Sequence, residues 1–307
     1  MEAKQNLFDN TQFTGMAIFI SAVIVIFVAI NVFATGGEDV VLTVNSYANS
    51  LFSSFAAVIA IWIWGYTSDK DTSKRIWAGI ALGLALWAIA DTISAIYPLL
   101  LDQEIPDLSM ADLFWLAGYI PLAVALVWRS QSFGVNPTKM ELRTAIGLVL
   151  LVVLVSGYFV VWPAIQSSDP GEFWISLVNV LYPIGDVLIA IDSLFILFTL
   201  GGGSFSSMWR IIAVGLMLRS FGDLMYNYAA GNDMYWPDNH ITLASILTDI
   251  PYSTSYLAIA LGIFAQRVLP QQAVTKPVPS LESNTLTRNA GNSDVLVYTD
   301  AQGRIAF

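Results

Sequence analysis

The sequence predicts an all-α membrane protein with eight transmembrane helices, and three observations support that fold class. Hydrophobic residues make up 56% of the 307 residues and charged residues only 12%, whereas a soluble domain carries about a quarter charged residues. The charges lie in short clusters, and the apolar runs between them are about 20 residues long, enough to span a bilayer core. The alternating ten-residue pattern of an outer-membrane barrel does not occur in the sequence.

Eight apolar segments follow one another along the chain. The first follows a polar stretch and is interpreted as an uncleaved helix, because it is too long for a secretory signal and only Lys4 precedes it. We expect the spans at 15–34, 45–66, 76–100, 111–128, 144–165, 174–200, 207–229 and 242–266.

The basic residues predict how these spans are oriented. Lys70 and Lys74 lie between spans two and three, and Arg129 and Lys139 lie between spans four and five. The intervening loops carry acidic residues and no Lys or Arg. Because basic loops stay in the cytoplasm, we expect a multi-pass protein of the plasma (inner) membrane with both termini cytoplasmic.

Two similar segments, one in each half, indicate an internal repeat. Residues 86–91 read LWAIAD and 218–223 read LRSFGD, while 111–119 read ADLFWLAGY and 248–256 read TDIPYSTSY. Each half thus has an Asp inside an apolar helix, a polar loop, a second Asp and a Tyr seven residues later. The matched segments run in the same direction, so the sequence predicts a parallel repeat of four plus four helices.

The intramembrane acidic residues are the best candidates for a site, because an Asp at the bilayer centre costs about 2.5–3.5 kcal/mol. They are interpreted as an outward-facing pocket for a cation, a protonated ligand or a proton. The alternative is structural: each Asp bonds a neighbouring helix or favours a helix start. The candidate residues are Asp91, Asp112, Asp186, Asp223, Asp249, Arg219, Tyr119 and Tyr256.

Apart from Arg210 near the start of the seventh predicted span, Arg219 is the only cation inside a predicted span. It precedes Asp223 by four residues, so the two share a helix face and are expected to pair. Pairing across the bundle with Asp91 or Asp186 is the alternative. Tyr119 and Tyr256 either line an aromatic pocket or belong, with the ten Trp residues, to an interfacial aromatic belt.

The composition excludes several kinds of chemistry. The chain has no Cys and a single His, so disulfides, thiolate metal sites and catalytic thiols are excluded, and His240 is expected to be simply exposed. A net charge of −10 without a basic stripe opposes nucleic-acid binding. No Lys lies in a span, so a retinal Schiff base has no attachment point. No catalytic constellation or particular cofactor is indicated, and enzymatic activity is not expected of this chain.

The chain changes character after the last span. Residues 1–268 form the predicted membrane domain, and 269–292 form a proline-containing cytoplasmic linker. Residues 293–307 read SDVLVYTDAQGRIAF and predict a β-hairpin closed by an Asp-x-x-Gly turn. This segment resembles the opening hairpin of a PAS domain, which implies the start of a truncated cytoplasmic PAS-like domain.

Two runs in the membrane part carry a second resemblance. Residues 106–119 read PDLSMADLFWLAGY and 181–188 read LYPIGDVL. They are similar to Pro-Ser-x-Ala-Asp and Tyr-Pro-x-Gly-Asp runs of multi-span sensor regions found ahead of PAS, histidine kinase and diguanylate cyclase modules. The first run is loosened here by two inserted residues, Asp107 and Leu108.

The resemblance implies a sensor in signal transduction, of the two-component or cyclase type. Such a homodimer in the lipid bilayer would relay an extracytoplasmic or intramembrane stimulus, a small molecule or an ion, to a PAS domain and an output domain. The prolines of the linker disfavour transmission through one continuous helix. The alternative functions are a transporter or channel for ions or small solutes that uses the intramembrane Asp residues, and a structural membrane subunit.

Overall fold

A computed structural model describes residues 7–69, 71, 73–101, 105–132, 138–167, 170–199 and 204–268, together with 298–299 and 305–306. The predicted linker, 269–292, and most of the predicted hairpin lie outside the described residues. Residues 1–270 and 271–307 form two separate compact units.

Nearly all described residues of the first unit are helical. The α-helices are α1 (Thr11–Val32), α2 (Glu38–Tyr66), α3 (Lys74–Ile96), α4 (Met110–Ser132), α5 (Lys139–Ser156), α6 (Trp162–Gln166), α7 (Phe173–Thr199), α8 (Ser204–Ala230) and α9 (Leu243–Val268). Short 3-10 helices cover Leu7–Asp9, Pro170–Glu172 and Pro237–Asn239, and π-helical turns cover Tyr97–Leu101 and Gly157–Val161.

The second unit contains two short strands, β1 (Tyr298–Thr299) and β2 (Ile305–Ala306). They pair antiparallel, with Tyr298 opposite Ala306 and Thr299 opposite Ile305. The residues of the predicted turn, 300–303, lie outside the described residues. The assignment of this segment to a PAS-like domain stays a prediction.

Seven helical segments of the described part are long and apolar enough to cross a membrane: α1, α2, α3, α4, the α5–α6 segment Lys139–Gln166, α7 and α9. The predicted class, an all-helical multi-pass membrane protein, is thereby confirmed. The 27-residue helix α8 is long enough to span but is not among the seven. Its sequence carries Arg210, Arg219 and Asp223, which lower its mean hydropathy.

The largest difference in bounds concerns the second predicted span. Helix α2 begins at Glu38, seven residues before the predicted start at 45. Glu38 and Asp39 lie in its first turn, where acidic side chains are stabilised by the positive end of the helix dipole. An acidic pair that looked like loop sequence is therefore the first turn of a helix.

Helices α3 and α4 pack closely, and α8 and α9 do the same. A Cβ on Gly83 of α3 would lie 2.4 Å from Leu122 Cγ of α4, and one on Gly215 of α8 would lie 2.6 Å from Ile259 Cγ1 of α9. Trp77 and Trp209, near the starts of α3 and α8, stack with ring centroids 5.2 Å apart. Both helix pairs therefore depend on a glycine at their contact.

Replacing Gly83 with Ala is expected to lower the free energy of unfolding by about 1–3 kcal/mol, because the new methyl group overpacks a tight contact. Gly147 in α5 is the matched control, since a Cβ there meets nothing within 4 Å. Gly147→Ala should be neutral or stabilise by up to about 1 kcal/mol through helix propensity. Unfolding titrations of the purified protein compare the two variants, and equal stabilities would contradict the prediction.

Candidate functional site

Asp91, late in α3, holds three helices together. Its side chain is buried, and its Oδ1 accepts hydrogen bonds from Trp115 Nε1 of α4 at 2.9 Å and from Tyr252 Oη of α9 at 2.7 Å. One carboxyl oxygen of α3 thus binds donors from both α4 and α9.

Asp186 lies in the middle of α7 and is 1% exposed. Tyr119 Oη of α4 donates a hydrogen bond to its Oδ1 at 2.6 Å. The preceding residue, Gly185, makes this contact possible, because a Cβ there would lie 2.9 Å from the Tyr119 ring. The Gly-Asp pair of the Tyr-Pro-x-Gly-Asp run thus allows an aromatic ring and its hydroxyl to reach α7.

Arg219 and Asp223 form the ion pair expected from their spacing, with Nη2 3.3 Å from Oδ2. Arg219 is 3% exposed and the Asp223 side chain 14% exposed. The Asp223 carboxyl also lies within hydrogen-bonding reach of the Asp186 carboxyl. Helices α7 and α8 therefore meet at two acidic side chains.

Aromatic rings surround the Arg219 guanidinium. Its Cζ lies 3.5 Å from the ring centroid of Tyr252, 5.0 Å from that of Trp87 and 5.3 Å from that of Tyr256. Such cation–π contacts are strongest where the cation is removed from water. Trp87 and Tyr256 are fully buried, so the belt interpretation is wrong for these two residues.

These residues form one group, here called the central cluster: Asp91, Asp186, Asp223, Arg219, Tyr119, Tyr252, Tyr256, Trp87 and Trp115. Its members come from α3, α4, α7, α8 and α9. Six of the eight predicted site residues belong to it; the other two, Asp112 and Asp249, bond different partners.

The contacts of Asp112 match the structural alternative given for the intramembrane Asp residues, in which each Asp bonds a neighbouring helix or favours a helix start. It accepts hydrogen bonds from the backbone N–H and the hydroxyl of Ser109 at 2.7 and 3.1 Å, and Ser109 Oγ accepts from Ala111 N. Ser109 thus caps the start of α4, and Asp112 in the first turn bonds back to Ser109. Tyr182 Oη of α7 donates a third hydrogen bond to Asp112, at 2.6 Å, so the carboxylate is well satisfied.

Asp249, in the second turn of α9, binds a different set of residues. Its oxygens accept hydrogen bonds from Tyr235 Oη at 2.8 Å, Trp236 Nε1 at 2.9 Å and Asn45 Nδ2 at 2.9 Å. Asn45 in turn exchanges two 3.0 Å amide hydrogen bonds with Asn31 of α1. This outer network ties α1, α2 and the α8–α9 loop to α9. Burial and the facing Asp249 carboxylate raise the pKa of the Tyr235 phenol, so it remains a donor at neutral pH.

His240 is exposed, as expected, but it has a partner. Its Nδ1 lies 2.8 Å from Glu38 Oε2 at the start of α2, and Glu38 Oε1 accepts a 3.0 Å hydrogen bond from Ile241 N. The α8–α9 loop is therefore fastened to α2 as well as to α9.

Several of these partners are not among the candidate residues predicted from the sequence, namely Tyr252, Tyr182, Asn31, Asn45, Tyr235 and Trp236. A signal for Tyr252 was available, because it occupies the position of Trp115 when the two halves are aligned through Asp112 and Asp249. Both residues donate to Asp91. The asparagines and the loop aromatics had no comparable pattern.

No group of three or more acidic or His side chains able to hold a metal ion occurs among the residues that the structure describes. Comparison with known proteins gives no match to a family model, to a curated protein or to a solved structure. Fold and site together define an all-helical multi-pass membrane protein with a charged cluster in its core.

Proposed function

We propose that this chain is a membrane-embedded sensory module that relays an extracytoplasmic or intramembrane stimulus to a cytoplasmic output domain. The observation that carries the proposal is that Asp91 accepts two hydrogen bonds, one from Trp115 in the first half of the chain and one from Tyr252 in the second half. A stimulus that changes the charge in this cluster would change contacts in both halves at once. Such a local electrostatic change is a general way to drive a switch.

The proposed arrangement has eight spans in two parallel repeats of four, with α8 as the seventh span. At 27 residues, α8 is about 40 Å long as an α-helix, and it packs along α7 and α9, both of which have the length and hydropathy of spans. The repeat is supported by the matching glycine contacts of Gly83 and Gly215 and by the stacking of Trp77 on Trp209. Residues at matched positions contact each other when two halves are related by a two-fold axis.

The orientation proposed from the basic residues has both termini in the cytoplasm of a cell bounded by the plasma (inner) membrane. In this orientation, the Glu38–His240 contact and the outer network around Asp249 lie on the extracytoplasmic side. The proposed output is a PAS domain followed by a histidine kinase or diguanylate cyclase, acting as a homodimer.

Two features of the helices favour a sensor over a transporter. Pro183 and Pro251 lie inside continuous helices, α7 and α9, whereas the substrate sites of many transporters are built from broken helices. The central cluster is also tightly packed, since a Cβ on Gly118 would lie 2.5 Å from the Trp87 ring. A charged network in such a tightly packed core is more compatible with a protein that switches between two discrete conformations than with a pathway for a solute.

The absence of cysteine allows a direct test, because Arg75→Cys in α3 and Met140→Cys in α5 introduce two exposed labelling sites, one in each half. Spin labels on this pair, in proteoliposomes, report the distance between the cytoplasmic ends of the halves. We expect the distance to change after a step in external pH or sodium, and the change to disappear in the Asp223→Asn variant.

Flux of protons and sodium is measured in the same vesicles. No flux above that of empty vesicles is expected. Flux that depends on Asp91 and Asp223 would favour the transporter instead. A constant label distance together with no flux would favour a structural subunit.

A further inference from the structure

The carboxyl of Asp186 is buried and only half satisfied. Its Oδ1 accepts from Tyr119, but its Oδ2 accepts no hydrogen bond from any residue in the described part of the chain. Asp223 Oδ2 likewise accepts none and meets Arg219 only in the 3.3 Å ion pair. Two ionised carboxylates are acceptors only, so neither can satisfy the other. One proton between them would turn two facing acceptors into a hydrogen-bonded pair.

The charge balance of the cluster also favours a proton between Asp186 and Asp223. Three carboxylates, those of Asp91, Asp186 and Asp223, face a single guanidinium, which leaves two uncompensated negative charges where charge is poorly screened. Asp91 Oδ1 accepts two hydrogen bonds, from Trp115 and Tyr252, whereas Asp186 Oδ1 accepts one, from Tyr119. A proton between the facing carboxyls of Asp186 and Asp223 would remove one of these charges. The titratable and charged groups that face this pair are Asp91 of α3, Tyr119 of α4, Tyr182 of α7, Arg219 and Tyr226 of α8, and Tyr252 and Tyr256 of α9.

Close packing around the pair favours the smallest cation. A Cβ on Gly185 would lie 2.9 Å from the Tyr119 ring, and one on Gly222 would lie 2.8 Å from Tyr252 N. The helices beside both carboxyls thus already approach as closely as glycine permits. A proton needs no additional space, whereas a metal ion must be surrounded by several coordinating oxygen atoms.

We propose that the ligand of the central cluster is a proton shared between Asp186 of α7 and Asp223 of α8. With the proton bound, one carboxyl donates to the other and the two helices are joined; when the proton leaves, two carboxylates repel each other and Arg219 stays with Asp223. The proton is exchanged with water and no other bond changes. The consequence of proton binding for signalling rests on the proposed sensory function. The test of the proton site itself requires no measurement of signalling.

Infrared spectroscopy of the purified full chain in lipid nanodiscs tests this directly. A protonated carboxyl gives a C=O stretching band that shifts to lower frequency in heavy water. We expect such a band in the wild type at neutral pH, its loss as the pH rises, and its loss in both Asp186→Asn and Asp223→Asn. An Asn at either position supplies a permanent N–H donor to the remaining carboxylate, so both variants are expected to fold.

Asp112→Asn is the matched control, since Asp112 accepts three hydrogen bonds and its removal should leave the band unchanged. Asp186→Glu keeps the carboxyl and should shift the band without removing it. The proposal is overturned if the wild type has no such band, or if the band survives in Asp186→Asn and in Asp223→Asn. Loss of the band in both variants with an unchanged spin-label response would keep the proton site and refute the sensory role.

Discussion

Replacing Arg219 with Met is expected to lower the free energy of unfolding by about 3–5 kcal/mol, because breaking a buried ion pair leaves uncompensated buried charge. Arg219 faces Asp223, Asp91 and Asp186, and no second cation faces them among the described residues. Met fills much of the same volume and retains a favourable sulfur contact with the Tyr252 ring. Most of the loss should therefore come from charge and little from packing.

A second substitution separates these contributions. In the double variant Arg219→Met, Asp223→Asn, the ion pair is replaced by two neutral side chains, so much of the lost stability should return. The coupling between the two sites should then be well above the few tenths of a kcal/mol seen for independent residues. Unfolding titrations of the wild type, both single variants and the double variant give this value, and purely additive losses would rule out the charge argument.

Arg75→Met is the matched surface control. Arg75 lies at the start of α3 with an exposed side chain, so its replacement should change stability by no more than about 0.5 kcal/mol. A loss similar to that of Arg219→Met would mean that removing any Arg destabilises the protein, and not the buried one in particular.

The fold class could be predicted because the membrane imposes a simple constraint on sequence. Every span must bury its backbone hydrogen bonds in a helix and present apolar side chains to lipid, so composition and run length are sufficient. Helix α8 is the informative exception. Its Arg219 and Asp223 lower its hydropathy, yet they are the residues that make its inner face part of the central cluster.

Residues of the central cluster could be identified from the sequence where a rule about cost or spacing applied. A carboxylate in an apolar helix is energetically costly, and this cost identified Asp91, Asp186 and Asp223 as candidates. The Arg219–Asp223 pair was expected from helix periodicity. The partners of Asp249 could not be found this way. Asn31 and Asn45 are neutral, so burying them costs less than burying a carboxylate, and the hydrogen bond from Asn45 to Asp249 of α9 spans about two hundred residues of chain.

The α8–α9 loop shows a further limit of sequence reasoning. Four of its non-glycine residues have positive φ, among them Trp236 at 46°. A bulky residue in this region of backbone space is strained, and nothing in the local sequence predicts it. The strain is offset by tertiary contacts, since Trp236 is buried and its Nε1 donates to Asp249.

Asp249→Ala is accordingly expected to cause the second large loss, at least about 3 kcal/mol of unfolding free energy. The substitution leaves three donors without their acceptor, on the half-buried Tyr235 and on the buried Trp236 and Asn45, and each orphaned buried donor costs about 1–3 kcal/mol. It also removes the hydrogen bond that Trp236 Nε1 donates from its strained conformation. Hydrogen exchange at residues 231–242 should therefore accelerate more than exchange in α3 or α4.

Two variants make this prediction specific. Tyr235→Phe removes a single donor and leaves Asp249 with two, so it should cost only about 0.5–1.5 kcal/mol. Asp107→Ala removes an exposed carboxylate before α4 and should have almost no effect on stability or exchange. If Asp249→Ala destabilises the protein but exchange in the loop stays as slow as in the wild type, then Asp249 does not hold the loop, and the strain at Trp236 is maintained by its packing alone.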